Sequence, residues 1–205
     1  MWVFDRRRIE MMEVVNKAVR GAVEFEKAND LERGRLRELT SPDKWSPPST
    51  GMFKLNSDAA IFKNQQVGLG GIVRDCEGDV LLATCLRIEG SKDAEVAEAL
   101  STRHCLQVAV DAGLRNLIVE VDCLKLFNHL SNRKFDPSSF GIIVQDILCI
   151  ASHCSSISFS HVRRKGNCVA HNLAQLSSSM DGLRVWIEEV PTEVLSSVMA
   201  DIQVI

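Results

Sequence analysis

Three acidic residues stand at positions where their side chains could bind a divalent metal ion. Asp58 belongs to a run of alternating residues, Asp122 closes the apolar run 117–121, and Glu98 lies between the two. If the two runs are neighbouring strands with a helix across them, the three carboxylates meet in one pocket. Carboxylates repel one another there unless a cation is bound, since removing like charges from water is costly. The pattern therefore predicts a metal site.

The spacing of apolar residues predicts the elements that position these acids. Three alternating segments with short turns indicate an antiparallel meander, and the apolar run before Asp122 is typical of a buried parallel strand. Helical spacing predicts one helix before that run and two after it, then an alternating fifth strand and a last helix. The predicted strands cover about 52–60, 67–74, 80–88, 117–121 and 157–161, and the predicted helices about 93–112, 123–130, 143–154 and 168–176.

The order of these elements predicts an α/β fold. Three antiparallel strands followed by two that need helical crossovers give a mixed five-stranded sheet, three antiparallel then two parallel strands, with helices on both faces. Gly68, Gly70 and Gly71 fall in the second strand. Glycines at such positions indicate a bulge or the close approach of another backbone.

Prolines and charged residues mark the limits of the predicted domain, which we place at 44–178. Three prolines between 42 and 48 disfavour both helix and central strand. Residues 1–43 are predicted to form a helical extension and a linker, and the helix is either a solvated stalk or a docking element for a partner. Residues 179–205 are predicted to form a C-terminal extension with a strand-like piece and a short helix, packed on the domain or partly free.

Net charge, apolar runs and cysteine spacing exclude several classes of protein. A net charge of −3 disfavours a protein that coats nucleic acid by bulk charge, whereas a local basic patch beside an acidic site suits an enzyme that acts on nucleic acid. No apolar run could span a membrane, and the charged N-terminus lacks the apolar core of a secretory signal. The seven cysteines form no C-x-x-C pair, which favours reduced thiols. We expect an intracellular protein, nuclear or cytoplasmic, that is neither secreted nor bound to a membrane.

Four segments around the acids resemble the motifs of ribonuclease H type 1 domains, in the family's order. They are FKLNSDAA with Asp58, AEAL with Glu98, IVEVD with Asp122, and the closing VRRKGNCVAHNLA. The chain is most similar to the reverse-transcriptase-like, retroelement-derived ribonuclease H family of plants, through GGIVRD at 70–75 and WSPP at 45–48. The resemblance covers roughly 44–176 and implies a ribonuclease H-like fold.

The resemblance implies metal-dependent endonucleolytic hydrolysis of the RNA strand of RNA–DNA hybrids by a two-metal mechanism. It assigns Asp58, Glu98 and Asp122 as catalytic ligands of two Mg²⁺ or Mn²⁺ ions, with Glu98 preferred to Glu95 because of its Ala-Glu-Ala context. His171 stands where the family has a fourth acid. A neutral imidazole adds no negative charge and suits Mn²⁺ better than Mg²⁺. The alternative is that His171 is an exposed residue without a ligand role.

Five residues near the motifs are predicted to contact nucleic acid: Asn56, Ser57, Arg163, Arg164 and Lys165. The three basic residues are candidates for phosphate contacts, since phosphates dominate such interfaces. The histidine in the fourth acidic position leaves a second functional hypothesis, a catalytically weak or inactive nucleic-acid-binding module derived from a retroelement. We expect a monomer whose partner is an RNA–DNA hybrid or another nucleic acid, and the sequence does not identify protein partners.

Overall fold

The computed structural model describes residues 42–90, 92–134 and 136–202. Within these residues the chain forms six strands, five α-helices and two short 3-10 helices, Arg164–Asn167 and Ser177–Ser179. The predicted N-terminal helix lies outside the described residues. The strands are β1 (Phe53–Phe62), β2 (Gln66–Arg74), β3 (Val80–Glu89), β4 (Asn116–Val121), β5 (Ser156–His161) and β6 (Leu183–Ile187), and the helices are α1 (Ala94–Asp111), α2 (Leu124–Asn132), α3 (Ser139–Ala151), α4 (Cys168–Leu176) and α5 (Thr192–Ile202).

The strands form one mixed sheet in the order β5-β4-β1-β2-β3-β6. β1, β2 and β3 are antiparallel neighbours, as the short turns between them require, and β4 and β5 run parallel to β1 after helical crossovers. The predicted α/β fold with a mixed sheet is therefore confirmed. The sheet also has a sixth strand, because the strand-like piece of the C-terminal segment pairs with β3 as β6.

Apolar layers cover both faces of the sheet. On one face, α1, α2 and α3 pack on residues such as Leu55, Val73 and Val119 in the largest core cluster. On the other face, α4 and α5 pack on a smaller cluster that includes Ile72 and Leu173. Helices on both faces explain why β4 is a nearly continuous apolar run.

Two glycines of β2 allow α4 to lie directly on the sheet. A Cβ atom on Gly70 would stand 2.1 Å from the backbone nitrogen of Ala174, and one on Gly68 would stand 2.2 Å from the carbonyl oxygen of the same residue. On the opposite face, a Cβ on Gly71 would meet the Sγ of Cys105 at 2.4 Å. The predicted close approach of another backbone is confirmed, and it fixes the distance between α4 and β1.

A buried cluster of charged and aromatic side chains joins the first and last described segments. The guanidinium of Arg74 lies 3.6 Å from the centre of the Trp45 ring, and both side chains are buried. Arg74 Nη1 donates a hydrogen bond of 2.9 Å to Asp201 Oδ2 at the end of α5. The C-terminal segment therefore contributes both a strand and a charge partner to the fold. No helix among the described residues is long and apolar enough to cross a bilayer.

Candidate metal centre

Asp58 lies within β1 on the face of the sheet that α4 covers. It is opposite Gly70 in the β1–β2 register, so that the glycine leaves room beside it for α4. Its side chain is 0% exposed. The Oγ of Ser101 on α1 donates a hydrogen bond of 2.6 Å to the Asp58 carbonyl oxygen, which holds this part of β1 against the helix.

The other two acids converge on Asp58 from β4 and α1. The parallel register pairs Asn56 with Glu120, so Asp122, which directly follows β4, comes to lie beside Asp58. Glu98 reaches the same point from the N-terminal part of α1. One carboxylate oxygen from each of Asp58, Glu98 and Asp122 lies within 4.8 Å of the others. This is the arrangement that the sequence predicts.

The donor set fits a hard divalent cation. All three groups offer carboxylate oxygen, which Mg²⁺ and Mn²⁺ both accept, and they stand close enough together to share an ion. The site is also partly shielded from water, since Asp58 is buried and Glu98 and Asp122 are only partly exposed. Metal binding is therefore the chemistry to which this cluster is best suited.

The electrostatics of the cluster show why a cation would be favourable. Burial raises the pKa of Glu98 to about 9, and the nearby carboxylates of Asp58 and Asp122 add to the rise. Burial also raises the pKa of Asp58, with a further rise from Asp122 and an opposing effect from Arg164 and His171. A bound cation would reverse this balance, because positive charge close to a carboxyl group favours its ionised form.

Arg164 is the basic residue in direct contact with the acids. Its Nη1 donates hydrogen bonds of 2.8 Å to Asp58 Oδ1 and to Asp122 Oδ2. The largest single effect on its pKa is burial, which lowers it, but the hydrogen bond to Asp122 and the charges of both aspartates raise the pKa overall. Sequence reasoning assigned Arg164 to phosphate contact and did not predict its place between the two carboxylates.

His171 lies on α4 at the edge of the same cluster. Its Nδ1 is 2.7 Å from Asp58 Oδ2 and 2.8 Å from Arg164 Nη2. The imidazole is therefore adjacent to one of the three carboxylates, as expected for the residue at the fourth position. Whether it binds metal stays a prediction.

A second group of buried side chains holds together the parts of β1 and β4 that directly precede the aspartates. Asn56 Nδ2 donates to Glu120 Oε2 at 3.0 Å, and its Oδ1 accepts a hydrogen bond of 3.0 Å from the indole nitrogen of Trp45. Glu120 also forms an ion pair of 3.1 Å with Lys54. Glu120 thus has a structural role, because it holds β1 and β4 side by side two residues before the aspartates.

Ser57 and Asn167 fix β1 against the helices on either side. The hydroxyl of Ser57 lies 2.8 Å from that of Thr102 on α1, and the amide of Asn167 donates to the Ser57 carbonyl oxygen at 2.9 Å. Because the side chains of Asn56 and Ser57 are buried, their observed role is to position Asp58. Their contact with nucleic acid stays a prediction. Asn167 carried no sequence signal beyond its place in the last motif.

The remaining candidate residues lie outside the acidic cluster, on what we call its rim. Arg163 forms an ion pair of 2.8 Å with Asp43, and Lys165 is exposed on the 3-10 helix beside Arg164. Glu95, the alternative to Glu98, forms an ion pair with Lys125 instead of joining the acidic cluster. The geometry therefore agrees with the preference for Glu98.

Comparison with known proteins identifies the family and the fold. Residues 56–177, more than half of the chain, match the family described as reverse transcriptase-like. The comparison with curated proteins found no match. The matched segment begins two residues before Asp58 and ends six residues after His171, so it contains every residue of the cluster.

Solved structures of ribonucleases H are similar in fold at low sequence identity. RNase H1 from the archaeon Halobacterium salinarum is 18% identical, with a TM-score of 0.58 over 63% of this chain and 98% of its own. The N-terminal RNase H domain of a Mycobacterium tuberculosis protein is 22% identical, with a TM-score of 0.57 over 62% of this chain and 94% of its own. LC11-RNase H1, isolated from compost and solved with an RNA/DNA hybrid, is 18% identical, with a TM-score of 0.54 over 60% and 94%.

Proposed function

Because the chain belongs to the reverse transcriptase-like family, we propose that it is a metal-dependent endonuclease that hydrolyses the RNA strand of RNA–DNA hybrids. The observation that carries the proposal is the convergence of Asp58, Glu98 and Asp122 within 4.8 Å, on a fold shared with ribonucleases H. One of those ribonucleases H was solved with an RNA/DNA hybrid, and that complex supplies the substrate class of the proposal.

We assign the binding of two Mg²⁺ or Mn²⁺ ions to the three carboxylates, with His171 as the fourth group. When bound, such a pair supplies the charge that favours attack of water on a phosphodiester and departure of the 3′ oxygen. The protein holds Asp58 and Asp122 in place through the Asn56–Glu120 hydrogen bond across the parallel strands. Burial and neighbouring negative charge favour the protonated form of Glu98, whose pKa is about 9, and the positive charge of a bound cation would favour its ionised form.

Basic side chains on the rim are the proposed contacts for the phosphates of the hybrid. Lys165 is exposed beside the cluster, and Arg163 is only partly shielded by its ion pair with Asp43. Arg164 is half exposed, so that its guanidinium can leave the carboxylates and turn toward a substrate phosphate. Arginine and lysine contacts of this kind give affinity without sequence preference.

The direct test is cleavage of a hybrid labelled in its RNA strand, with Mg²⁺ and with Mn²⁺ in separate reactions. We expect cleavage of the hybrid but not of single-stranded RNA or duplex DNA. Asp58→Asn should abolish the activity, whereas Glu95→Gln, a matched change on the same helix as Glu98, should retain it. Absence of cleavage with both ions at high enzyme concentration would refute the proposal, as would an Asp58→Asn protein that cleaves as fast as the native one.

A second candidate function is a nucleic-acid-binding module with weak or no turnover, derived from a retroelement. It is favoured by His171, which lies 2.7 Å from Asp58 and brings no negative charge for a second ion. Fluorescence anisotropy separates the two candidates. Affinity for the hybrid that persists in a chelator, together with an absence of cleavage, supports the second.

We also propose an intracellular site of action, in the nucleus or the cytoplasm, because all seven cysteines are free thiols. A plant source and a retroelement origin belong to the same proposal and rest on the sequence resemblance alone. The domain limits of 44–178 are likewise a proposal, and so is the role of the segments on either side.

A further inference from the structure

β6 is one edge of the sheet, and its apolar side chains face water. Within the described residues, Leu183, Val185 and Ile187 are 52%, 42% and 59% exposed. β6 pairs with β3 on one side, and no strand from the described part of the chain pairs with its other side. Exposed apolar edge strands are rare in monomeric proteins, which protect sheet edges with charged residues, prolines or bulges.

The hydrogen-bond pattern shows which backbone groups of β6 point outward. Glu188 donates from its backbone nitrogen to the carbonyl oxygen of Leu81 at 3.1 Å, so these two residues form a hydrogen-bonded pair. Pairs alternate along an antiparallel ladder, and Ile187 opposite Leu82 is therefore a non-hydrogen-bonded pair. By the same alternation, Leu183, Val185 and Ile187 all direct their N–H and C=O groups away from β3.

The apolar side chains of β6 lie on the face of the sheet that α1 covers elsewhere. Val185 is paired with Thr84, whose hydroxyl lies 3.1 Å from His104 of α1. Trp186 points to the opposite face and packs against the cluster under α5. Leu183, Val185 and Ile187 thus have both outward backbone groups and exposed apolar side chains. β3 cannot pair with the outward backbone groups of β6, because it is already paired with β2 on one side and with β6 on the other.

We propose that β6 pairs with β6 of a second copy of this chain, antiparallel and with Val185 on the twofold axis. In this register Val185 faces its own counterpart and Leu183 faces Ile187 of the second copy. Each of these pairs can exchange two backbone hydrogen bonds, since all three residues direct those groups outward. On the other face, Arg184 comes opposite Trp186 of the second copy, where a guanidinium can stack on an indole.

Self-complementarity favours a second copy over an unrelated chain. A twofold interface requires one surface to match itself, and a strand with apolar residues at three alternate positions does so about its middle residue. The other edge of the sheet, β5, has serines at 156, 158 and 160 and lacks such an apolar strip. Because β6 is only five residues long, the interface is small and the dimer is weak and concentration-dependent.

The pairing leaves the acidic cluster open. β6 is separated from β1 by β3 and β2, so that Asp58 lies three strands away from the dimer edge. Dimerisation therefore replaces the expectation of a monomer without affecting the proposed metal site. It also makes the oligomeric state a readout that is independent of any nuclease activity.

Sedimentation velocity of the full chain, from micromolar to near-millimolar concentration, tests the proposal. We expect a reversible monomer–dimer equilibrium. Val185→Lys should weaken it by about tenfold or more, because two like charges would meet at the twofold axis. Val185→Pro should abolish it, since proline removes an outward N–H that the monomer does not use. Ile142→Lys, an equally drastic change at a residue 53% exposed on α3, should leave the equilibrium unchanged.

Circular dichroism of each variant establishes that the fold is intact, and Val185→Lys carries the test if the proline variant does not fold. A native chain that stays monomeric at every concentration would overturn the proposal and leave the β6 edge to a different partner. So would a dimer that both Val185 variants form as well as the native chain does.

Discussion

Replacing Arg164 by glutamine should increase the affinity of the protein for divalent ions. In the structure, Arg164 Nη1 lies 2.8 Å from one oxygen of Asp58 and 2.8 Å from one oxygen of Asp122. A metal ion that uses these oxygens must displace the guanidinium from them. Arg164 therefore acts as a tethered competitor of the metal, and the affinity of the site includes the free energy needed to move it away.

The size of the effect follows from the exposure of the side chain. Arg164 is 53% exposed, so its contacts with the carboxylates are screened by water. Two charge-assisted hydrogen bonds under these conditions are worth about 1–2 kcal/mol in total. Their loss in Arg164→Gln should tighten metal binding by roughly 5- to 30-fold, since about 1.4 kcal/mol corresponds to a factor of ten.

Isothermal titration calorimetry with Mn²⁺ at fixed pH measures this change directly. Arg163→Gln is the matched control, because Arg163 pairs with Asp43 rather than with the acidic cluster. We expect the control to bind Mn²⁺ as the native protein does. An Arg164→Gln protein with unchanged or weaker affinity would refute the idea that the guanidinium competes with the metal.

Three further predictions follow from the same geometry. Between pH 4.5 and about 9, Glu98 should be protonated in the folded state and ionised in the unfolded state. The free energy of unfolding of the metal-free protein should therefore fall as pH rises through this range. Urea titrations should show this slope for the native chain and for Glu95→Gln, but not for Glu98→Gln. His171→Asp should increase the rate of Mg²⁺-dependent cleavage relative to the rate of Mn²⁺-dependent cleavage, because it supplies a fourth carboxylate. The same ratio of the two rates in His171→Asp and in the native protein would contradict a ligand role for residue 171. Gly70→Ala should lower the free energy of unfolding by about 1–3 kcal/mol, since its Cβ would overlap the backbone of Ala174.

The acidic cluster was predictable because its members carry strong local signals. Asp122 ends a continuous apolar run, and such runs are buried parallel strands whose C-terminal ends form ligand sites. Glu98 stands near the beginning of a helix whose buried residues include Ala99, Leu106 and Ala109, and Asp58 falls on the polar side of an alternating strand. The four sequence motifs that contain the acids and His171 also occur in the order found in ribonuclease H domains, which a single acidic residue could not indicate. The distances among the three acids in the structure agree with that prediction.

The position of Arg164 was not predictable from the sequence. It lies in a 3-10 helix after β5, where side-chain direction depends on one turn of backbone and leaves no periodic signal. The sixth strand was only partly predictable. The alternation at 183–187 indicated a strand, but its pairing with β3 depends on which edge of the sheet is free, and a single strand carries no information about that.

The buried contact between Trp45, Arg74 and Asp201 bears on how the chain folds as it is synthesised. Chains leave the ribosome from the N-terminus, and Asp201 follows Arg74 by 127 residues. Until it emerges, Arg74 has lost its water on one side, where Trp45 covers it, without gaining its carboxylate partner. The pairing of β3 with β6 and of Arg74 with Asp201 therefore waits until residues 183–201 have been made. A chain that stops before this segment would have an open sheet edge at β3 and an arginine without its carboxylate partner.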